Sequence, residues 1–256
     1  MQISNKNGKI ITCLSTWKDA FIEVDNPKHW KPGRSAHSLA LHFTRPSING
    51  SKGIDVLSEY LGYLGFKNVL FDYAEIEHES RFDTFRGNGR IQDLMIWAKS
   101  ENRPLAICIE AKVDETFDKN VPDAYKERMI YSSKRPKSKT LDRLNYICKH
   151  YYKVEPNSSK LKDIRYQLLY YLAGSITEAK KIDGVAFMPI FVYHTDSYNN
   201  QNGYNNKKDY ETFIKSLNFS SIRVNDTIQM YKNKIDGVDV YSAYIEIEKK
   251  IINNLK

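Results

Sequence analysis

The sequence predicts an α/β protein with a central mixed sheet flanked by helices. Three segments carry that expectation. Arg90–Trp97 and Leu105–Val113 are strand-length runs rich in apolar residues, joined by Lys99-Ser-Glu-Asn-Arg-Pro104, which is the pattern of a buried hairpin or meander. Asp163–Ile176 places Ile164, Leu168, Leu172 and Ile176 at helical spacing. Gly184–Tyr193 is a nearly continuous apolar run of strand length, although Pro189 within it suggests a bulge or an edge position.

The remaining elements follow in chain order. Lys9–Leu14 is strand-like, and Trp30–Arg34 is a turn. Arg34–Phe43 reads as a helix with Leu39 and Phe43 on one side, ended by Arg45-Pro46 because a residue before proline is pushed out of the helical region. A second helix spans about 54–63 and stops near Gly65. A strand near 67–77 precedes the Arg86-Gly-Asn-Gly89 turn and the hairpin near 90–98 and 105–113. Ser132–Lys139 reads as a basic, flexible loop, and Leu141, Leu144, Ile147 and Tyr151 mark a helix after it. Ser197–Lys208 reads as a polar loop, Asp209–Leu217 as a helix and Val238–Ile247 as a final strand. The expected division is a helical elaboration over 1–66 and an α/β core over 67–256, together one compact domain.

Composition narrows the function classes. The chain has 256 residues, 41% hydrophobic and 27% charged, as in an ordinary globular protein. It has no apolar run approaching the roughly 18 residues of a membrane helix and no hydrophobic signal segment at its polar start, so a cytoplasmic protein without a membrane partner is expected. Its three cysteines (Cys13, Cys108 and Cys148) have neither metal-ligand nor CxxC spacing. Cys108 reads as a buried strand residue and Cys148 as a helix residue, both reduced. His37 and His42, five apart, miss the i, i+4 geometry of a helical zinc pair and read as surface or boundary residues. The tyrosine pairs Tyr151-Tyr152 and Tyr170-Tyr171 read as core residues with wet hydroxyls. The net charge of +8 favours an anionic partner. Six Lys or Arg stand against two acids between Val121 and Thr140.

The chemistry lies in the hairpin. Strand side chains alternate faces, so Glu110 and Lys112 point together while Ile107, Ile109 and Val113 point away. Ionised groups on an apolar strand require a partner or a metal. Asp93, on the preceding strand, is the partner at hand. Two converging carboxylates bind a hard divalent cation, and a nearby ammonium can orient a water or offset developing charge. An ordinary cross-strand ion pair is the competing reading, but Ala106 and Cys108 share the face of Glu110 and argue against a solvated one.

This arrangement resembles the core of the PD-(D/E)XK nuclease superfamily, which places an Asp on one strand and Glu-x-Lys on the next. Asp93, Glu110 and Lys112 match by position, Gln92 replaces the motif's proline, and the resemblance covers residues 70–195. It implies a restriction-endonuclease-like core and a Mg²⁺-dependent nuclease (Mn²⁺ as a substitute), acting on DNA, with restriction or another defence role within its range. Asp93 and Glu110 would be the metal ligands, helped by the Ile109 or Ala111 carbonyl, and Lys112 would position the attacking water. Gln167 matches, by order, a glutamine that several branches carry on the following helix. An upstream acid is also expected, and Glu59, Glu77 and Glu79 are equal candidates. Arg128, Lys134, Arg135, Lys137 and Lys139 are candidate nucleic-acid contacts, as is Arg165, since phosphate contacts dominate such affinity. Duplex cutting in this superfamily commonly pairs two copies, so a homodimer is a candidate assembly. The alternative is a non-catalytic nucleic-acid-binding or scaffold protein that retains the fold.

Overall fold

A computed structural model describes residues 1–47, 50–101, 103–225 and 228–248. In chain order the elements are β1 (Gln2–Asn5), β2 (Ile10–Ile11), α1 (Leu14–Ile22), α2 (Ser35–Thr44), β3 (Pro46–Ser47), β4 (Gly50–Ser51), α3 (Lys52–Tyr63) and β5 (Val69–Ser80). There follow β6 (Arg90–Ser100), β7 (Arg103–Lys112), α4 (Val121–Lys134), α5 (Thr140–Tyr152), α6 (Tyr166–Lys181) and β8 (Val185–Tyr193). α7 (Asn200–Ser216), β9 (Ser220–Arg223), β10 (Gln229–Ile235) and β11 (Val238–Ile247) complete the chain.

Nine strands form one mixed sheet in the order β2-β1-β5-β6-β7-β8-β11-β10-β9. β5, β6 and β7 are antiparallel neighbours, whereas β7, β8 and β11 run parallel. Parallel strands need covered faces because their crossovers lay helices on the sheet. One face is covered by α1, α2 and α3 through Trp17, Phe21, Leu39, Phe43 and Leu57, packed on Ile96, Ile107, Phe187 and Phe191. The other carries the helices after β7, with Leu144, Leu168, Leu172, Ile176 and Phe213 packed on Met95, Cys108, Met188 and Val192. The result is a mixed sheet between two helical layers.

Several expectations change. The segment 1–66 supplies three helices where the sequence predicts two, α1 being the addition, and β1 pairs with β5 inside the central sheet. Strand character near Lys9–Leu14 is confined to Ile10–Ile11, because Leu14 already begins α1. The hairpin connection shortens to residues 101–102, of which Asn102 lies outside the described residues. Ser132–Lys134 of the basic run is the last turn of α4, not a flexible loop. The polar stretch 197–208 is mostly α7, started by Asn199, whose side chain accepts the Asn202 N–H at 3.1 Å. Amide-rich composition favoured a loop, but burial of Asn206, Tyr210 and Phe213 along one side stabilises the helix.

His42 is also corrected. It is fully buried between α2 and β8, its ring against Phe191 and hydrogen-bonded to the Tyr193 hydroxyl at 3.1 Å. Burial lowers its pKa to about 4, so it packs as a neutral aromatic. Pro189 lies at neither a bulge nor an edge but in central β8, opposite Ala243. Proline lacks the N–H that would bond to β7. Tyr171 of α6 compensates, since its hydroxyl donates to the Cys108 carbonyl and reaches the Pro189 carbonyl at 3.0 Å. The Tyr170-Tyr171 pair is therefore core, as its helical spacing predicts.

Candidate active site at the β5–β6–β7 end

Strand alternation fails where the site forms. In β5, Ile76 belongs to the core under α1–α3, yet His78, two residues on, packs against Trp97 on the opposite face. Glu77 between them has φ +51, a left-handed conformation that a non-glycine residue adopts only under constraint. Ile76 pairs with Leu94 and His78 with Gln92, so Glu77 stands across from Asp93. β6 shows the same break. Leu94 faces the first core, whereas Gln92 lies against Gly174 of α6 on the second. A Cβ at position 174 would sit 2.5 Å from Gln92 Nε2, so glycine there permits the approach.

Beyond Leu94 and Ile109, β6 no longer pairs with β7. Asp93 takes over at that point, its Oδ2 accepting the Ala111 N–H at 2.8 Å. Glu110 and Lys112 remain in regular β7 and face α6. The Lys112 Nζ lies 2.8 Å from Glu110 Oε1 and donates to Gln167 Oε1 at 3.1 Å, while Gln167 Nε2 donates to the same Glu110 oxygen at 2.6 Å. Phe117 backs the ammonium, its ring centroid 5.3 Å away. Gln167 is thus placed beside Glu110 and Lys112 because it opens α6, the helix whose apolar stripe seats it over β7.

Arg90 completes the site and was not foreseen. Its guanidinium pairs with Glu110 Oε2. Regular alternation puts residue 90 on the face of Leu94, away from Glu110, and only the break near Asp93 brings it round. Among the upstream acids the structure distinguishes Glu77. Glu59 is hydrogen-bonded to the exposed Tyr63 at 2.7 Å, and Glu79 holds the Gly89 N–H at 2.7 Å and pairs with Arg81.

The charges are unevenly matched. Burial, then the Glu110 charge, raises the Asp93 pKa to about 7, against the pull of Lys112 and Arg90. Burial followed by Asp93 and Asp25 pushes Glu77 well above the ordinary carboxylate range. Burial also disfavours the Glu110 charge, but Arg90 and Lys112 outweigh it and keep Glu110 lowered. Three carboxylates therefore act on one another with one ionised firmly and two held towards their neutral forms.

Such a set suits a hard cation. Mg²⁺ keeps several waters and is commonly held by one or two carboxylates together with substrate phosphate. Asp93 and Glu110 offer that number of oxygen donors, and the raised pKa of Asp93 is the strain that an added positive charge relieves. Among the described residues, no group of three or more His, Cys, Asp or Glu is arranged to hold a metal ion.

The predicted nucleic-acid contacts separate into two groups. Arg165 donates to Asp209 at 2.7 Å and to the Asp118 carbonyl at 3.0 Å, which accounts for it within the fold. Arg128 lies 3.8 Å over the Tyr166 ring, beside Gln167 in sequence. Lys134 is the last residue of α4. Arg135, Lys137 and Lys139 line a cleft of about 460 Å³ with Arg86 and Tyr131, and none of its lining residues is acidic. Arg143 ties this cleft to the β5–β6 connection, bonding Asp83 at 2.6 and 3.1 Å and the Asn88 carbonyl at 2.7 Å. No described helix is long and apolar enough to cross a membrane.

Fold and site together define a mixed α/β protein carrying a largely buried Asp/Glu/Lys constellation on its central strands β6 and β7. The chain belongs to the family described as a domain of unknown function, DUF6946, whose profile matches residues 11–249. No curated protein and no solved structure matches it.

Proposed function

We propose that the protein is a metal-dependent nuclease of restriction-endonuclease-like core that hydrolyses phosphodiester bonds in DNA. The observation that carries this reading is the hydrogen-bonded chain Glu110–Lys112–Gln167 beside Asp93, whose carboxylate accepts the N–H of Ala111, between Glu110 and Lys112 on the same strand. Asp93 and Glu110 would hold Mg²⁺, or Mn²⁺ in its place. When bound, the ion supplies Lewis acidity at a phosphate oxygen and a lowered pKa for water.

The chain's own residues do the rest. Lys112 has three N–H donors. Glu110 and Gln167 take two, and the third is available to orient the attacking water and to offset charge on the phosphate. Gln167 positions Lys112 by accepting from it while donating to Glu110. The acid-free cleft of Arg86, Arg135, Lys137 and Lys139 gives a polyanion a place to lie, and the β5–β6 connection links it to Arg90.

The test is cleavage of supercoiled and linear DNA with Mg²⁺ or Mn²⁺ by wild type, Glu110→Ala and Lys112→Ala. Metal-dependent cutting that falls by about 100-fold or more in both variants is expected, the scale of losing a preorganised electrostatic group. Wild type that neither cuts nor gains thermal stability from either ion would leave a non-catalytic nucleic-acid-binding protein as the better account.

A further inference from the structure

Arg90 has no place in the Asp/Glu-x-Lys pattern, yet it sits among its carboxylates. Its side chain is only 12% exposed, and it lies 6.0 Å from the centroid of the Tyr171 ring. Its Nε is buried with no hydrogen-bond partner among the described residues. The guanidinium fork is therefore incompletely satisfied, and charge holds it in place. Burial works against that charge, but Glu110, Asp93, Tyr171 and Glu77 outweigh it.

The two oxygens of Glu110 are divided. Oε1 is taken by Lys112 and Gln167, and Oε2 by Arg90. Oε2 is thus the oxygen over which an entering cation must compete. The Arg90 stem is seated on α6, where a Cβ at Gly174 would lie 3.1 Å from Arg90 Cγ. The head is bound by a single charged partner and follows Gly89, at the end of an irregular connection.

We propose that Arg90 is the resident counter-ion of the site: its guanidinium occupies the Glu110 oxygen that a divalent cation needs, and metal enters only as Arg90 withdraws. The inference rests on the two-carboxylate metal site proposed above. Arg90 then sets metal affinity as an internal competitor. With Lys112 it surrounds the one firmly ionised carboxylate, Glu110, with positive charge in the metal-free site.

Mn²⁺ titration followed by the paramagnetic signal of the free ion tests this without any activity readout, on wild type, Arg90→Gln, Arg90→Lys and Glu110→Gln. Removing the competing charge is expected to tighten Mn²⁺ binding by about tenfold in Arg90→Gln, while Arg90→Lys stays near wild type. Mn²⁺ should also raise the melting temperature of Arg90→Gln more than that of wild type. If Arg90→Gln does not fold, Arg90→Met, which keeps the apolar stem against Tyr171, carries the same expectation. Equal or weaker binding by the charge-free variant, with Glu110→Gln losing the ion that wild type binds, overturns the role of Arg90 and leaves the metal site standing. Absence of Mn²⁺ binding in wild type and every Arg90 variant overturns both.

Discussion

Two buried charge clusters lie under α6, and they are built on opposite principles. At the carboxyl end of the helix, His78 is held between Glu75 at 2.8 Å and Glu178 at 3.3 Å, and Lys181 pairs with Glu178 at 2.7 Å. Burial lowers the pKa of His78, but Glu178 and Glu75 outweigh it and raise it to about 9. Glu178, itself buried, is lowered by His78 and Lys181 despite that burial. Each charge has a partner that favours it, so this cluster serves stability. At the amino end, Gln167 bonds Glu110 and Lys112, Arg90 pairs with the same Glu110, and of the carboxylates there Asp93 and Glu77 are pushed towards neutrality. Charge left unresolved in a buried place is costly, and such groups concentrate at functional sites. One helix thus secures the sheet at one end and overhangs a strained site at the other.

Substitutions at the balanced end give the larger stability change. His78→Ala leaves Glu178 without its histidine partner and should destabilise the protein by about 2 kcal/mol at neutral pH, leaving metal binding intact. Denaturant midpoints against pH supply the sign. The folded pKa of His78 lies above 6.5, so its contribution is complete below 6.5 and is lost as pH rises through about 9. A wild-type curve that stays flat through that alkaline window would break the contrast.

Asp93 should behave in the reverse sense. Its folded pKa of about 7 exceeds the ordinary 3.8, so the folded state binds the extra proton and metal-free stability falls as pH rises from 3.8 to about 7. Asp93→Asn should remove that slope, and saturating Mg²⁺ should flatten it by favouring the ionised carboxylate. An unchanged slope in Asp93→Asn would show that the strain lies elsewhere. The smallest effect on stability is expected at the exposed cations. Replacing Arg135 and Lys137 by alanine should leave the melting temperature unaltered. The same pair should weaken DNA binding and lower the salt dependence by about one unit per cation lost.

The motif residues were legible in the sequence because β7 is regular through Lys112. Period two places Glu110 and Lys112 together, and period 3.6 seats Gln167 over them. Arg90 is not legible as a site residue, and Glu77 is not distinguishable from Glu59 and Glu79, for the complementary reason. Both enter the site through a break in alternation at Glu77 and Asp93, and no composition marks that break. The second half of α7 is legible as the helix Asp209–Leu217; its first half reads as a loop because asparagines carry loop statistics, while the helix there depends on what its other side buries against the sheet. Pro189 reads as a bulge or an edge because its missing N–H is a local fact, whereas the hydroxyl that answers it comes from Tyr171, on another element.

The sequence by itself determined the strands β6, β7, β8 and β11, the helices α2, α3, α5 and α6, and the three side chains of the candidate site, since these follow from periodicity along one segment. Only the tertiary structure decided which acid joins them, which arginine neutralises them and where the basic residues gather. Those outcomes depend on residues far apart in the chain meeting in a buried, low-dielectric place, where a neighbour's charge matters more than any local preference.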